Sequence, residues 1–204
     1  YYLGVNFNSK LDGKGIQVHG RPDLSLIVCL DISGSMCSSF DDEDASSTGS
    51  SLSKLEVAKE CLLLILAQLK ANDSFGLVTF NHTAHVVHSL SKWSQTNVQE
   101  LQEKIKGITA CGSTTISDGI TVSTQLFETL PEAANSSKRI FFLTDMEVDD
   151  HDGETFVNIV RSNAADLTVW STVVGVGLDL TQQVIEQVSK TAGANYCNVR
   201  STKN

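Results

Sequence analysis

Asp31-Ile32-Ser33-Gly34-Ser35 places one carboxylate and two hydroxyls within five residues, with Gly34 able to turn the chain sharply. Gly112-Ser113-Thr114 adds another hydroxyl beside a permissive glycine, and Asp145 adds a second carboxylate. Asp31, Ser33, Ser35, Thr114 and Asp145 all contribute oxygen, and no Cys or His joins them. Such a donor set suits a hard divalent cation in octahedral geometry, most naturally Mg²⁺ or Mn²⁺. Electrostatics points the same way, since two carboxylates about 5 Å apart repel by about 3 kcal/mol at an effective dielectric near 20. A bound cation reverses that term. Because Ser and Thr are neutral ligands, the metal stays electrophilic and open to an incoming carboxylate.

These residues act together only if distant loops meet. Leu24 to Leu30 is nearly all apolar with β-branched residues, the pattern of a central parallel strand, and it ends at Asp31. Arg139 to Thr144 is a similar strand that runs straight into Asp145. Phe75 to Phe80 and Thr83 to Leu90 are predicted strands joined by a tight Asn81-His82 link that suits antiparallel neighbours. Leu167 to Val176 and Tyr196 to Val199 complete the strands. Ser53-Lys54-Leu55-Glu56 has capping-box spacing before the helical stripe Leu55, Ala58, Leu62, Leu66 and Leu69. Further helices are predicted from a Thr96 cap to Lys106, from Ile116 to Pro131, over 154–163, and over 181–192 up to Gly193. Alternating strands and helices imply a doubly wound α/β domain, mostly parallel, with helices on both faces and ligands at the carboxyl ends of strands. Residues 3–19, with an Asp12-Gly13 turn, read as a β-hairpin, so an N-terminal extension over 1–22 is predicted to precede a domain over 23–204.

The ordered set Asp31, Ser33, Ser35, Thr114 and Asp145 resembles the metal-ion-dependent adhesion site of the von Willebrand factor type A (vWA) domain, also called the integrin I domain. The likeness covers residues 24–200, including Gly175-Val176-Gly177 and Gly193-Ala194-Asn195-Tyr196. It implies a six-stranded sheet with one antiparallel edge strand, Thr83 to Leu90, and a metal completed by a carboxylate from a partner protein. The chain departs from the family in three places. Cys111-Gly112-Ser113-Thr114 stands where Gly-Gly-Thr is more usual, Met146 follows Asp145 where Gly is common, and the polar insert 37–51 is long.

That insert carries Asp41, Asp42, Glu43 and Asp44, candidates for a tethered pseudo-ligand that competes with an external carboxylate. Solvated loops are the plainer reading of these acids and of 147–154. Thr114 has a second reading as a helix N-cap. Cys37 and Cys111 each flank a metal-binding loop and form a candidate redox pair, with two free thiols as the default. His82, His85 and His88 recur every third residue, which on a strand separates His85 from the other two and argues against zinc. Catalytic motifs are missing: the chain has no phosphate loop, no dinucleotide fingerprint and no Gly-x-Ser-x-Gly. A metal-dependent phosphate-ester hydrolase would need a base, for which His151 is the histidine available near these loops.

The 204 residues include 24 acidic and 15 basic side chains, a net charge of -9 that argues against nucleic acid as a partner. Residues 41–44 and 145–154 hold ten of the acids and no Lys or Arg, so the imbalance sits around the predicted cation. No apolar run approaches the roughly 20 residues that cross a bilayer. The chain opens on Tyr1-Tyr2, which predicts a piece or processed form of something longer. Compartment stays open: five Cys is an odd number that favours a reducing environment, whereas sequons at Asn72, Asn81 and Asn135 favour secretion but match the roughly two expected by chance. The sequence therefore predicts a non-enzymatic, divalent-metal-dependent module that captures an Asp or Glu carboxylate of a protein partner. The alternative is a structural module of a larger assembly with its site filled by its own chain or empty.

Overall fold

The apolar run Leu24–Asp31 forms the strand β1, buried at every position after Leu24. The structure, a computed structural model, describes residues 21–40, 52–129, 136–177 and 182–199. The predicted hairpin over 3–19 lies outside the described residues, as do Asp41, Asp42, Glu43 and Asp44. Five more strands follow: β2 (Ser74–Phe80), β3 (Ala84–Lys92), β4 (Ser137–Thr144), β5 (Val169–Val176) and β6 (Ala194–Val199). They build one sheet in the order β3-β2-β1-β4-β5-β6. The β2–β3 pair is antiparallel and every other pair is parallel, so the predicted antiparallel edge strand is β3.

Among the described residues five α-helices cover the sheet: α1 (Lys54–Leu66), α2 (Val98–Lys106), α3 (Ile116–Leu126), α4 (Asp150–Asp166) and α5 (Gln182–Lys190). Strand alternation divides β1 between two cores. Leu26, Val28 and Leu30 pack with α1 and α2 through Leu55, Leu62, Leu101 and Ile105. Ile27 and Cys29 pack with α3, α4 and α5 through Ile120, Phe156 and Val184. The α/β architecture with helices on both faces is therefore the observed one.

Helix starts follow local chemistry. Ser53 and Glu56 form the expected capping box, the Ser53 hydroxyl accepting from Glu56 N and Ser53 N donating to the Glu56 carboxylate. At α2 the cap is Asn97, whose side chain accepts from Glu100 N, in place of the predicted Thr96. The Thr96 hydroxyl instead donates to Lys92 O. The short helix predicted over 154–163 is the 17-residue α4, capped by Asp149. The acids expected in a solvated loop thus open a helix, where carboxylates near the N-terminus are favoured by its dipole. His88 is half-buried against Phe75, with ring centroids 6.1 Å apart.

Candidate metal site

The sheet order reverses between β1 and β4, which places their carboxyl ends at the crevice where ligands bind in open α/β sheets. Leu30 pairs with Leu143, so Asp31 leaves the sheet next to Thr144, with Asp145 one residue further along. Both are fully buried, and so is Thr144. The Thr144 hydroxyl donates to Asp31 Oδ2 at 2.6 Å, and Ser33 N donates to Asp31 Oδ1 at 2.8 Å. Burial pushes the Asp31 carboxyl up to about 6 in spite of these hydrogen bonds from Ser33 and Thr144, and the nearby Asp145 charge adds to the rise. Met146 N donates back to the Thr144 hydroxyl at 2.9 Å, tying the two strand ends into one network.

After Asp31 the chain makes a short 3-10 turn, Gly34–Cys37. The Ser33 and Ser35 hydroxyls stand 3.1 Å apart. Adjacent ligands of an octahedral ion with bonds of about 2.1 Å are about 3 Å apart, so the two hydroxyls already have the spacing of a ligand pair. Gly34 N donates to Gly112 O at 2.8 Å and Cys111 N to Ile32 O at 2.7 Å. These bonds clamp the segment that carries Thr114 to the loop that carries Ser33 and Ser35. Asn81 holds the same segment from β2: its side chain donates to Cys111 O, and its carbonyl accepts from Thr115 N at 2.7 Å.

A cation is already present. Lys54, the first residue of α1, is 2% exposed and its Nζ lies 3.2 Å from Asp145 Oδ2. The lysine stem passes over Gly177, at the end of β5. Gly177 has φ +102, and a Cβ there would stand 3.0 Å from Lys54 Cε. A bare glycine at that point leaves room for the stem.

Residues 26–147 match the von Willebrand factor type A domain family, and they make up more than half of the chain. The chain belongs to this family. A stretch of 126 residues is 29% identical to the human inter-alpha-trypsin inhibitor heavy chain H1, covering 59% of this chain but 12% of that relative's length. Among solved structures, the BatB protein of Bacteroides thetaiotaomicron superposes with a TM-score of 0.68 at 18% identity, covering 88% of this chain and 91% of BatB. The manganese-loaded Plasmodium vivax TRAP protein superposes with a TM-score of 0.61 at 12% identity, over 87% of this chain and 69% of TRAP. At these identities the structural neighbours establish the fold. vWA domains commonly serve adhesion or assembly through protein–protein contacts.

Tertiary structure revises several sequence expectations for this vWA domain. Thr114 does not cap α3. The N-cap position is Thr115, whose own side chain makes no capping bond. The carboxylate of Asp152 accepts from Ile116 N and Ser117 N instead. Met146 occupies the left-handed region at φ 57 where the family often has Gly, and its side chain is fully buried in the core. The bulky residue keeps the glycine-like turn because its burial offsets a strain of about 1–2 kcal/mol. Asn81 is 6% exposed with its amide engaged, so this sequon serves as a structural clamp. The histidine standing against the Gly112 loop is His82, whose Nδ1 lies 3.1 Å from where a Gly112 Cβ would be. His151 is exposed on α4.

Cys37 and Cys111 are both exposed and free, and Cys37 Sγ sits 3.7 Å from Ala110 O, one residue before Cys111. Among the described residues no three His, Cys, Asp or Glu side chains form a metal cluster. Sequence reasoning missed Thr144, Lys54 and Asp152. Lys54 left one signal, a cation in the first turn of a helix, where the dipole disfavours it.

Proposed function

We propose that this vWA domain is a divalent-cation-dependent protein-binding module. Ser33, Ser35 and Thr114 would hold Mg²⁺ or Mn²⁺, with Asp31 and Asp145 as direct or water-mediated partners. The single observation that carries this reading is the 3.1 Å spacing of the Ser33 and Ser35 hydroxyls beside the buried Asp31 carboxylate. When bound, the metal supplies an electrophilic position for an Asp or Glu carboxylate of the partner. The chain's own residues orient that position. Thr144 and Ser33 N fix Asp31, and the clamp between Gly34 and Gly112 holds the hydroxyl loops together. Nothing in this arrangement calls for a nucleophile or a general base, and His151 points to no hydrolytic role. The manganese-loaded state of a structural neighbour supports the choice of cation.

The insert is rooted at this rim. Phe40 N donates to Leu52 O, Lys54 N donates to Ser38 O, and Ser39 bridges to Ser53. Phe40 and Leu52, which flank the insert, are therefore held together just after the 3-10 turn, and Asp41, Asp42, Glu43 and Asp44 are proposed as its pseudo-ligand candidates. A second reading, a structural module whose site is satisfied by its own chain, is favoured by the Lys54–Asp145 pair. Thermal unfolding in EDTA, Mg²⁺ and Mn²⁺ decides between them. Metal at 100 times its dissociation constant adds about 2.7 kcal/mol, or roughly 5–10 °C for a domain of this size. A midpoint that does not move, or an Asp31→Ala variant that responds as wild type does, would remove the metal site. Pull-down in EDTA and in Mg²⁺, read by mass spectrometry, then identifies the partner.

A further inference from the structure

We propose that the Lys54 ammonium is a resident counter-cation of this site, one that neutralises Asp145 in the metal-free protein and lowers divalent affinity by competing for that carboxylate. The inference rests on the metal reading above and deepens it. Its ground is geometric. Lys54 Nζ is 3.2 Å from Asp145 Oδ2, and both side chains are removed from solvent. Lysine is almost never fully buried unless paired, because stripping water from an ammonium is costly.

Three features build the lysine in. The capping box of Ser53 and Glu56 fixes the first turn of α1, which starts at Lys54. Lys54 N donates to Ser38 O, tying that turn to the segment just after the metal loop. The backbone of Gly177, at a φ that favours glycine, leaves space for the stem, with Lys54 Cε, Cδ and Cγ all lying within 4 Å of a hypothetical Cβ. A side chain delivered through such a channel is positioned by the fold.

Asp31, Asp145 and Lys54 together carry a formal charge of -1, where the two carboxylates alone would carry -2. A divalent ion sharing Asp145 with an ammonium meets repulsion that, at an effective dielectric near 20, exceeds a tenfold loss of affinity. The metal-free site is also spared the repulsion between two bare carboxylates. The vWA domain thus holds a resting state in which one of the two carboxylates is neutralised, and the metal must displace or tolerate the lysine to act.

The test compares wild type, Lys54→Met and Lys54→Arg by Mn²⁺ calorimetry and by thermal unfolding in EDTA, with Asp31→Ala as the control without a site. Methionine keeps an unbranched stem over Gly177 and removes the charge. Lys54→Met is expected to bind Mn²⁺ at least tenfold more tightly than wild type and to melt roughly 5–15 °C lower in EDTA, with most of that deficit recovered in saturating Mn²⁺. Lys54→Arg is expected to stay near wild type in Mn²⁺ affinity. If wild type binds Mn²⁺ and Lys54→Met binds equally or less well, the counter-cation role is overturned while the metal site stands. If neither binds, both proposals fall. Binding by Lys54→Met alone supports the competition in its strongest form. Should Lys54→Met not fold, Lys54→Gln provides the same comparison.

Discussion

The Asp152 carboxylate, one turn into α4, accepts Ile116 N at 2.7 Å and Ser117 N at 3.2 Å, so it caps α3 from a neighbouring helix. Its own backbone N–H is held by Asp149 at 2.8 Å. One acidic cluster thereby starts two helices, and α3 begins two residues after Thr114. The cap is part of what holds the hydroxyl loop in place.

Asp152→Ala leaves two N–H groups at the start of α3 without their acceptor and is expected to cost about 1–3 kcal/mol. Asp152→Asn keeps one acceptor oxygen and should lose less. Denaturant unfolding measures both, and amide exchange at Ile116 and Ser117 should quicken in the alanine variant. An unchanged midpoint with unchanged exchange would refute the cap.

Gly177→Ala places a methyl 3.0 Å from Lys54 Cε at a φ of +102. The combined strain and crowding should destabilise by roughly 1–3 kcal/mol. Shortening the lysine relieves the crowding but not the backbone strain. A double-mutant cycle with Lys54→Ala should therefore show coupling of about 0.5 kcal/mol or more. Strict additivity would mean that the stem and Gly177 do not meet in solution.

Asp73 sets an acid limit on stability. It is fully buried, bonded to the Arg21 guanidinium, and accepts Leu24 N at 3.0 Å and Lys70 N at 2.6 Å. Burial alone would raise this carboxyl, but Arg21 and the two N–H groups outweigh it and hold the group below its ordinary 3.8. The folded form is thus the stronger acid. Its contribution is complete above pH 3.8 and is lost as pH falls through the depressed folded value. Asp73→Asn should cost about 2–4 kcal/mol at pH 6, where the ion pair is intact. The gap from wild type should narrow below pH 3.8. Urea unfolding across that range checks it, and a constant gap would show that the charge is irrelevant.

Cys37 and Cys111 flank the clamped loops as free, exposed thiols. Peptide mapping without reductant is expected to recover both unmodified. A cross-linked 37–111 peptide after mild oxidation would make the pair a redox bridge, and it should then alter Mn²⁺ affinity through the loop that carries Thr114.

Much of this vWA domain was legible in sequence because the signals are contiguous. Buried strands announce themselves as apolar runs such as Leu24 to Leu30, and a capping box needs four neighbouring residues, here Ser53 to Glu56. Donor chemistry is local too: Asp31, Ser33 and Ser35 share one turn. What the chain could not display is which distant groups answer them. Thr144 reaches Asp31 because β1 and β4 pair in one register, and a shift of one residue would turn its hydroxyl to the other face. Asp152 looked like part of a solvated acidic loop until α4 packed beside α3. Lys54 lies 91 positions from Asp145, and only the crossing of α1 over the sheet, with the gap at Gly177, brings ammonium and carboxylate together. Residue types and local periodicity determined the elements and which oxygen-bearing side chains stand at the strand ends. The register of the sheet and the packing of helices on it decided the charge balance of the site, since these depend on contacts between segments far apart in the chain.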